Sequence, residues 1–254
     1  MYKNLVIILF LIFIIHLPTQ ARIHHRTRYI ARNHAHRHAR SRHKHHHAST
    51  FVPIKVDING KVWGIDVSHH QSDIDWEKLN EQKPQFVFLK ASEGVTNQDN
   101  KYEWNYKEAH DKNIPVGSYH FFTYKNSGKD QAKNFLSTIK YNNGDLPPVL
   151  DLEFSRKMPP ANQVRNELLD FIQTIYEKLA CYPIVYCNNR YFNKYLQDYL
   201  PEKCKLWIVD YKAQPDGNWT FWQTSNKHKL PGIKGYVDLN IFNGSISNLR
   251  GMLN

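Results

Sequence analysis

Asp66, Asp151, Glu153 and Asp238 are the residues of this chain whose type and spacing could do chemistry together. Asp151 and Glu153 are two apart, so on a strand both side chains point to one face. Acids brought together repel each other's charge, and some of their pKa values must rise, which keeps a proton on one of them near neutral pH. Splitting a glycosidic bond requires this. One carboxylic acid protonates the leaving oxygen, and a partner stabilises the developing oxocarbenium charge or activates a nucleophile. Any single Asp of the set reads equally well as a strand-end cap or a satisfied structural acid; the four together point to a site. Tyr119, Tyr186, Tyr211 and Trp222 lie at or near strand ends, and Gln223 follows. Sugars stack their apolar faces on such rings while polar groups fix the hydroxyls. Core packing is the alternative for each ring, and the preferred one for Trp63 and Trp207. His120 has the opposite parity to Tyr119 and reads equally as a buried, satisfied histidine.

The elements that would position these residues alternate. Apolar or β-rich runs predict strands over residues 62–67, 86–89, 116–122, 148–152, 184–187, 206–209, 219–222 and 236–239. Helices are predicted over 75–82, with Asp73 as cap, and over 101–113, 128–139, 159–179 and 191–199. The helix over 159–179 carries Val164, Leu168, Phe171, Ile172 and Ile175 on one stripe. The last three strands have short connections with no room for full helices. The expectation is an α/β fold: an irregular TIM-like (β/α) barrel of eight strands, with helices mainly after the first five. An open doubly wound sheet is the competitor. No GxGxxG or P-loop pattern follows any strand, so no phosphate cradle is signalled. In a barrel, Asp66, Asp151, Glu153 and Asp238 would meet at the C-terminal mouth.

The 254 residues are 41% hydrophobic and 22% charged, which suits a soluble globule. The net charge of +11 suggests a nucleic-acid binder, but its distribution argues otherwise. No acid precedes Asp57, and residues 22–50 hold seven Arg, one Lys and nine of the fifteen His. The body is close to neutral, so the basicity belongs to a tail and no nucleic-acid partner is expected. Residues 5–15 are an unbroken apolar run after Lys3, too short to span a bilayer and suited to an export signal that ends near Ala21. An uncleaved membrane anchor is the alternative. Residues 22–56 lack the apolar content to fold alone and read as disordered. Tethering to an anionic cell-envelope surface or a plain spacer is preferred over a metal site, because no Cys or carboxylate accompanies the His. The catalytic body is then expected over 57–254.

Seven stretches occur in family order: GIDVSHHQSDIDW (64–76), FVFLKASEG (86–94), GSYHFF (117–122), LPPVLDLE (146–153), WIVDY (207–211), FWQTS (221–225) and GIKGYVDLNIF (232–242). Together they resemble glycoside hydrolase family 25, lysozymes that act as N-acetylmuramidases on peptidoglycan. The resemblance covers about residues 62–245 and implies an irregular α/β barrel that cleaves the β-1,4 bond between N-acetylmuramic acid and N-acetylglucosamine. By motif, Glu153 matches the proton donor, Asp151 its acidic partner, and Asp66 and Asp238 the other acids of the catalytic subsite. Glu93 matches a further functional acid, although it could instead pair with Lys90. Tyr119, Tyr186, Tyr211, Trp222 and Gln223 would bind sugar. Ser92 and Thr224 depart from the commonest form, where Thr and Tyr are frequent, and leave the acids intact.

Spacing alone gives no carboxyl separation, so inverting, covalent retaining and substrate-assisted routes stay open. The acetamido group of the substrate and the D-x-E spacing favour the third. Rival readings are a chitinase-like hydrolase, whose signature needs Asp where Leu146 and Val149 stand, and a sugar-binding barrel that has lost catalysis. A zinc deacetylase is disfavoured, since the adjacent His69 and His70 lack the i, i+4 spacing of helical ligands. No cofactor or metal is expected, and the protein should be a monomer. Cys181, Cys187 and Cys204 could hold one disulfide and a free thiol, or three thiols.

Overall fold

The structure is a computed structural model that describes residues 57–254. The expected export signal and the His/Arg-rich segment lie outside the described residues.

Strand β1 (Trp63–Val67) is buried along its whole length, which fits an apolar run covered on both faces. β2 (Phe86–Glu93) carries the two-residue strand β3 (Asn97–Gln98) as a hairpin on its far end. β4 (Val116–Phe121), β5 (Val149–Asp151), β6 (Ile184–Asn188), β7 (Leu206–Val209), β8 (Phe221–His228) and β9 (Val237–Phe242) follow. All nine share one sheet, and a β1–β2 pairing closes every strand but β3 into a ring of eight. The pairings from β1 through β2, β4, β5, β6 and β7 to β8 are parallel. β9 runs antiparallel to both β8 and β1. The cause is connection length: residues 229–236 are too few for a crossover, so the chain turns back as a hairpin. The barrel is the expected one.

Helices follow the first five expected strands. They are α1 (Trp76–Asn80), α2 (Tyr102–Asp111), α3 (Gly128–Thr138), α4 (Ala161–Leu179) and the short α5 (Asn189–Tyr191), which runs into a π-helical turn (Phe192–Leu196). The expected stripe of α4 is its buried face. Asp75, not Asp73, caps α1, accepting from the Lys78 N–H at 3.2 Å, while Asp73 pairs with Lys101. A capping oxygen must reach the N2 or N3 amide, and Asp73 starts too far upstream. The last helix, α6 (Ile246–Arg250), is too short to show a period and went unpredicted.

Two apolar layers hold the barrel. One lies between sheet and helices. The other fills the barrel interior with Phe86, Phe88, Trp207, Phe221 and Phe242; Phe88 stacks on Trp207 with centroids 4.4 Å apart. Gly117 makes room for these rings, since a Cβ there would lie 2.3 Å from the Phe88 ring. Leu249 of α6 joins this interior layer. All three cysteines are free thiols, and burial pushes those of Cys187 and Cys204 up to about 12.

Candidate active site

The alternation of each strand decides which side chains reach the barrel mouth. Asp66 of β1, Tyr119 of β4, Asp151 of β5, Tyr186 of β6, Gln223 of β8 and Asp238 of β9 all line one cavity of about 370 Å³. Glu153 and Tyr211, just beyond β5 and β7, line it as well. The sequence-predicted acids are therefore brought together.

Asp66 and Asp238 stand opposite each other where β1 meets β9, and their carboxyls share a hydrogen bond. Asp66 Oδ2 also accepts from Asn240 Nδ2 at 2.8 Å and Gln223 Nε2 at 2.9 Å. Burial raises both acids; Asp66 raises Asp238 further, whereas the hydrogen bond with Asp238 lowers Asp66. The two amide donors favour charge on Asp66, so Asp238 is the partner that keeps the proton. Gln223 is fixed in turn: its Oε1 accepts from the hydroxyls of Tyr186 at 2.9 Å and Tyr211 at 2.8 Å. Asn240 Oδ1 accepts from Trp207 Nε1 at 2.9 Å. Two tyrosines, an indole and two amides thus lock the Asp66 carboxylate in one orientation.

On the opposite wall, Asp151 is 9% exposed and its Oδ1 has no hydrogen-bond partner. An orphaned buried carboxylate oxygen costs about 1–3 kcal/mol or more, so something must complete it. Burial, with Glu153 and Asp66 nearby, raises Asp151 well above the carboxylate range. Glu153 is an exposed residue at the mouth, yet partial desolvation of its carboxyl raises it too, against the pull of Lys90. Its backbone carbonyl accepts from Tyr124 Oη at 2.9 Å, and Tyr124 Oη is 2.7 Å from Tyr191 Oη.

Trp222 does not reach the cavity, which corrects the expectation for it. It packs in the outer layer near Trp219 and donates from Nε1 to the Asp210 carbonyl at 2.8 Å. Gln223 points inward, so its strand neighbour must point out. Glu93 also lies off the central cavity, held by Lys90 Nζ at 2.7 Å, in the pairing weighed as its structural alternative. His120 is fully buried between Ser92 Oγ at 2.8 Å and Gln131 Oε1 at 3.3 Å, and burial lowers it to about 4, so it stays neutral. His69 Nδ1 bonds Asp99 at 2.6 Å.

The sequence reading missed Lys90, Asn240 and Tyr236. Lys90 lines the cavity and lies 5.1 Å from the Phe121 ring centroid. Parity with Phe86 and Phe88 marks it as inward, and Asn240 shares a face with Asp238 in the same way. Tyr236 is 54% exposed on the cavity rim, and nothing in its local pattern announces that.

Comparison with known proteins adds the relationship. The family model "Glycosyl hydrolases family 25" matches residues 65–233. The Escherichia coli protein YegX is 31% identical over 209 residues, 79% of this chain and 76% of that protein. "Lysozyme M1" of Streptomyces globisporus is 30% identical over 210 residues, 76% of this chain and 71% of that protein. Among solved structures, a family 25 glycosyl hydrolase from Bacillus anthracis superposes with a TM-score of 0.74 at 30% identity, covering 82% of this chain and 100% of that one.

Proposed function

The chain belongs to glycosyl hydrolases family 25, and from that premise we propose that it is a lysozyme-type muramidase, cutting the β-1,4 bond between N-acetylmuramic acid and N-acetylglucosamine in peptidoglycan. Glu153 is the general acid. Its raised pKa holds the proton that the glycosidic oxygen takes as the C1–O bond breaks. The observation that carries the reading is the unpartnered Oδ1 of buried Asp151 beside it. An acetamido N–H of the substrate is the donor this oxygen lacks. Its arrival favours the charged form of Asp151, which steadies the amide as the acetamido oxygen closes on C1. Water then opens the ring at C1, giving its proton to the Glu153 carboxylate. The product keeps its anomeric configuration. Asp66 and Asp238 line the subsite, and Tyr119, Tyr186, Tyr211 and Gln223 shape the sugar pocket. Trp222 is left out, and Glu93 supports Lys90.

Digestion of purified peptidoglycan tests this. New reducing ends of N-acetylmuramic acid are expected; reducing glucosamine would mean a different hydrolase, and peptide fragments alone an amidase. Glu153→Gln should cut kcat by about 10²–10⁴-fold with sugar binding retained. Asp151→Asn should also act on kcat; an effect on KM alone would make Asp151 a binding residue only. An inverted product by NMR would replace the substrate-assisted route with direct attack by water.

Relatives bear names of cell-wall lytic enzymes, which fits action at the envelope. Export through residues 1–21 and attachment of residues 22–50 to an anionic envelope surface belong to the same proposal, with residues 57–254 as the catalytic barrel. Among the described residues no helix is long and apolar enough to cross a membrane.

A further inference from the structure

A second cavity, about 1250 Å³, adjoins the catalytic one and shares Glu153 and Phe121 with it. Its apolar surface comes from Tyr124, Phe154 and Met158. Lys125, on the loop after β4, and Arg156 and Lys157, on the loop after β5, are exposed along it. None of the three takes part in an ion pair among the described residues. The cavity holds two carboxyls, Glu93, occupied by Lys90, and Glu153, the acid assigned the proton. Three cations therefore face this space in excess, beside an apolar wall.

A neutral sugar has no use for such a surplus. N-acetylglucosamine carries no charge, and the lactyl carboxyl of muramic acid is capped by its peptide. The free carboxylates of peptidoglycan are on those stem peptides, which hang from the muramic acid ring. A ring with C1 at Glu153 starts its stem next to the shared wall. We propose that this cavity is a stem-peptide site, in which Lys125, Arg156 and Lys157 bind peptide carboxylates over the apolar wall, so that the enzyme prefers glycan strands still bearing their peptides. The inference rests on the muramidase reading and names a second determinant of its substrate.

The test compares two soluble substrates: uncrosslinked glycan strands with stems, and the same strands stripped by an amidase, which exposes the lactyl carboxylate. Wild-type enzyme should show higher kcat/KM on the stemmed strands, and the advantage should shrink as salt is added. The double variant Arg156→Ala/Lys157→Ala should lose about tenfold in kcat/KM on stemmed strands, through KM, and stay within about twofold on stripped strands. Lys125→Ala should do the same more weakly. Equal losses on both substrates would assign the cations to the glycan or its lactyl group and overturn the proposal, as would no loss on either. Wild-type enzyme that released reducing muramic acid from neither substrate would overturn this inference and the muramidase reading together.

Discussion

Asp66 and Asp238 face each other across the antiparallel junction, and only Asp66 has amide donors on it. Both carboxyls sit above their ordinary value near 3.8 in the folded protein. A raised acid binds its proton more tightly when folded, so its contribution to stability is full below the unfolded pKa and is lost as pH rises through the folded one. The protein should therefore lose stability as pH climbs from about 4. Asp238→Asn, which mimics the protonated side chain, should flatten that decline and raise Tm on the alkaline side, as thermal melts across pH would report. An unchanged pH profile would place the proton elsewhere. Much of this pair was legible in the sequence, because strand ends and two-residue parity are local properties. The error at Trp222 came from its place near a strand end, where parity excludes it, since two consecutive strand residues cannot both face one cavity. Lys90 was hidden for a different reason. A lysine that ends an apolar run reads as a solvated terminus until the barrel closes around it.

The loop after β4 is held from two sides. Gln131 of α3 donates from Nε2 to the Thr123 carbonyl at 2.8 Å and accepts from the Thr123 N–H at 2.8 Å, while Tyr124 bridges Tyr191 and the carbonyl of Glu153. Glu153, the proposed general acid, is thus tied through backbone to the start of the π-helical turn, a feature that often marks functional segments. Tyr124→Phe removes the bridge and little volume. We expect stability to fall by about 1 kcal/mol and kcat several-fold, with KM unchanged and the pH limb assigned to Glu153 displaced. A fall in Tm without the kinetic change would make the bridge structural only. Periodicity found α4 because five buried positions repeat along nineteen residues. The helix expected over 191–199 covers the π-helical turn without revealing its winding, and α6 went unpredicted, because a five-residue segment is fewer than two turns and carries no period. The antiparallel β9 followed from a short connection, but its pairing with both β8 and β1 is a long-range fact that local pattern does not contain.

At the scale of the whole molecule, charge is segregated: residues 22–50 carry eight Arg and Lys and no acid, and the remainder is close to balanced. Deleting residues 22–50 should leave kcat/KM on short soluble strands unchanged while weakening sedimentation with anionic envelope preparations, most at low salt. Loss of activity on soluble strands would make the segment part of the enzyme. Cleavage itself belongs to a ring that closes β1 on β9, and the ring's two ends bring Asp66 and Asp238 face to face. A chain halted on the ribosome anywhere short of β9 has neither a sealed wall nor its second acid. A fragment ending before β9 is therefore expected to be inactive on peptidoglycan, and the complete barrel to be the smallest lytic unit.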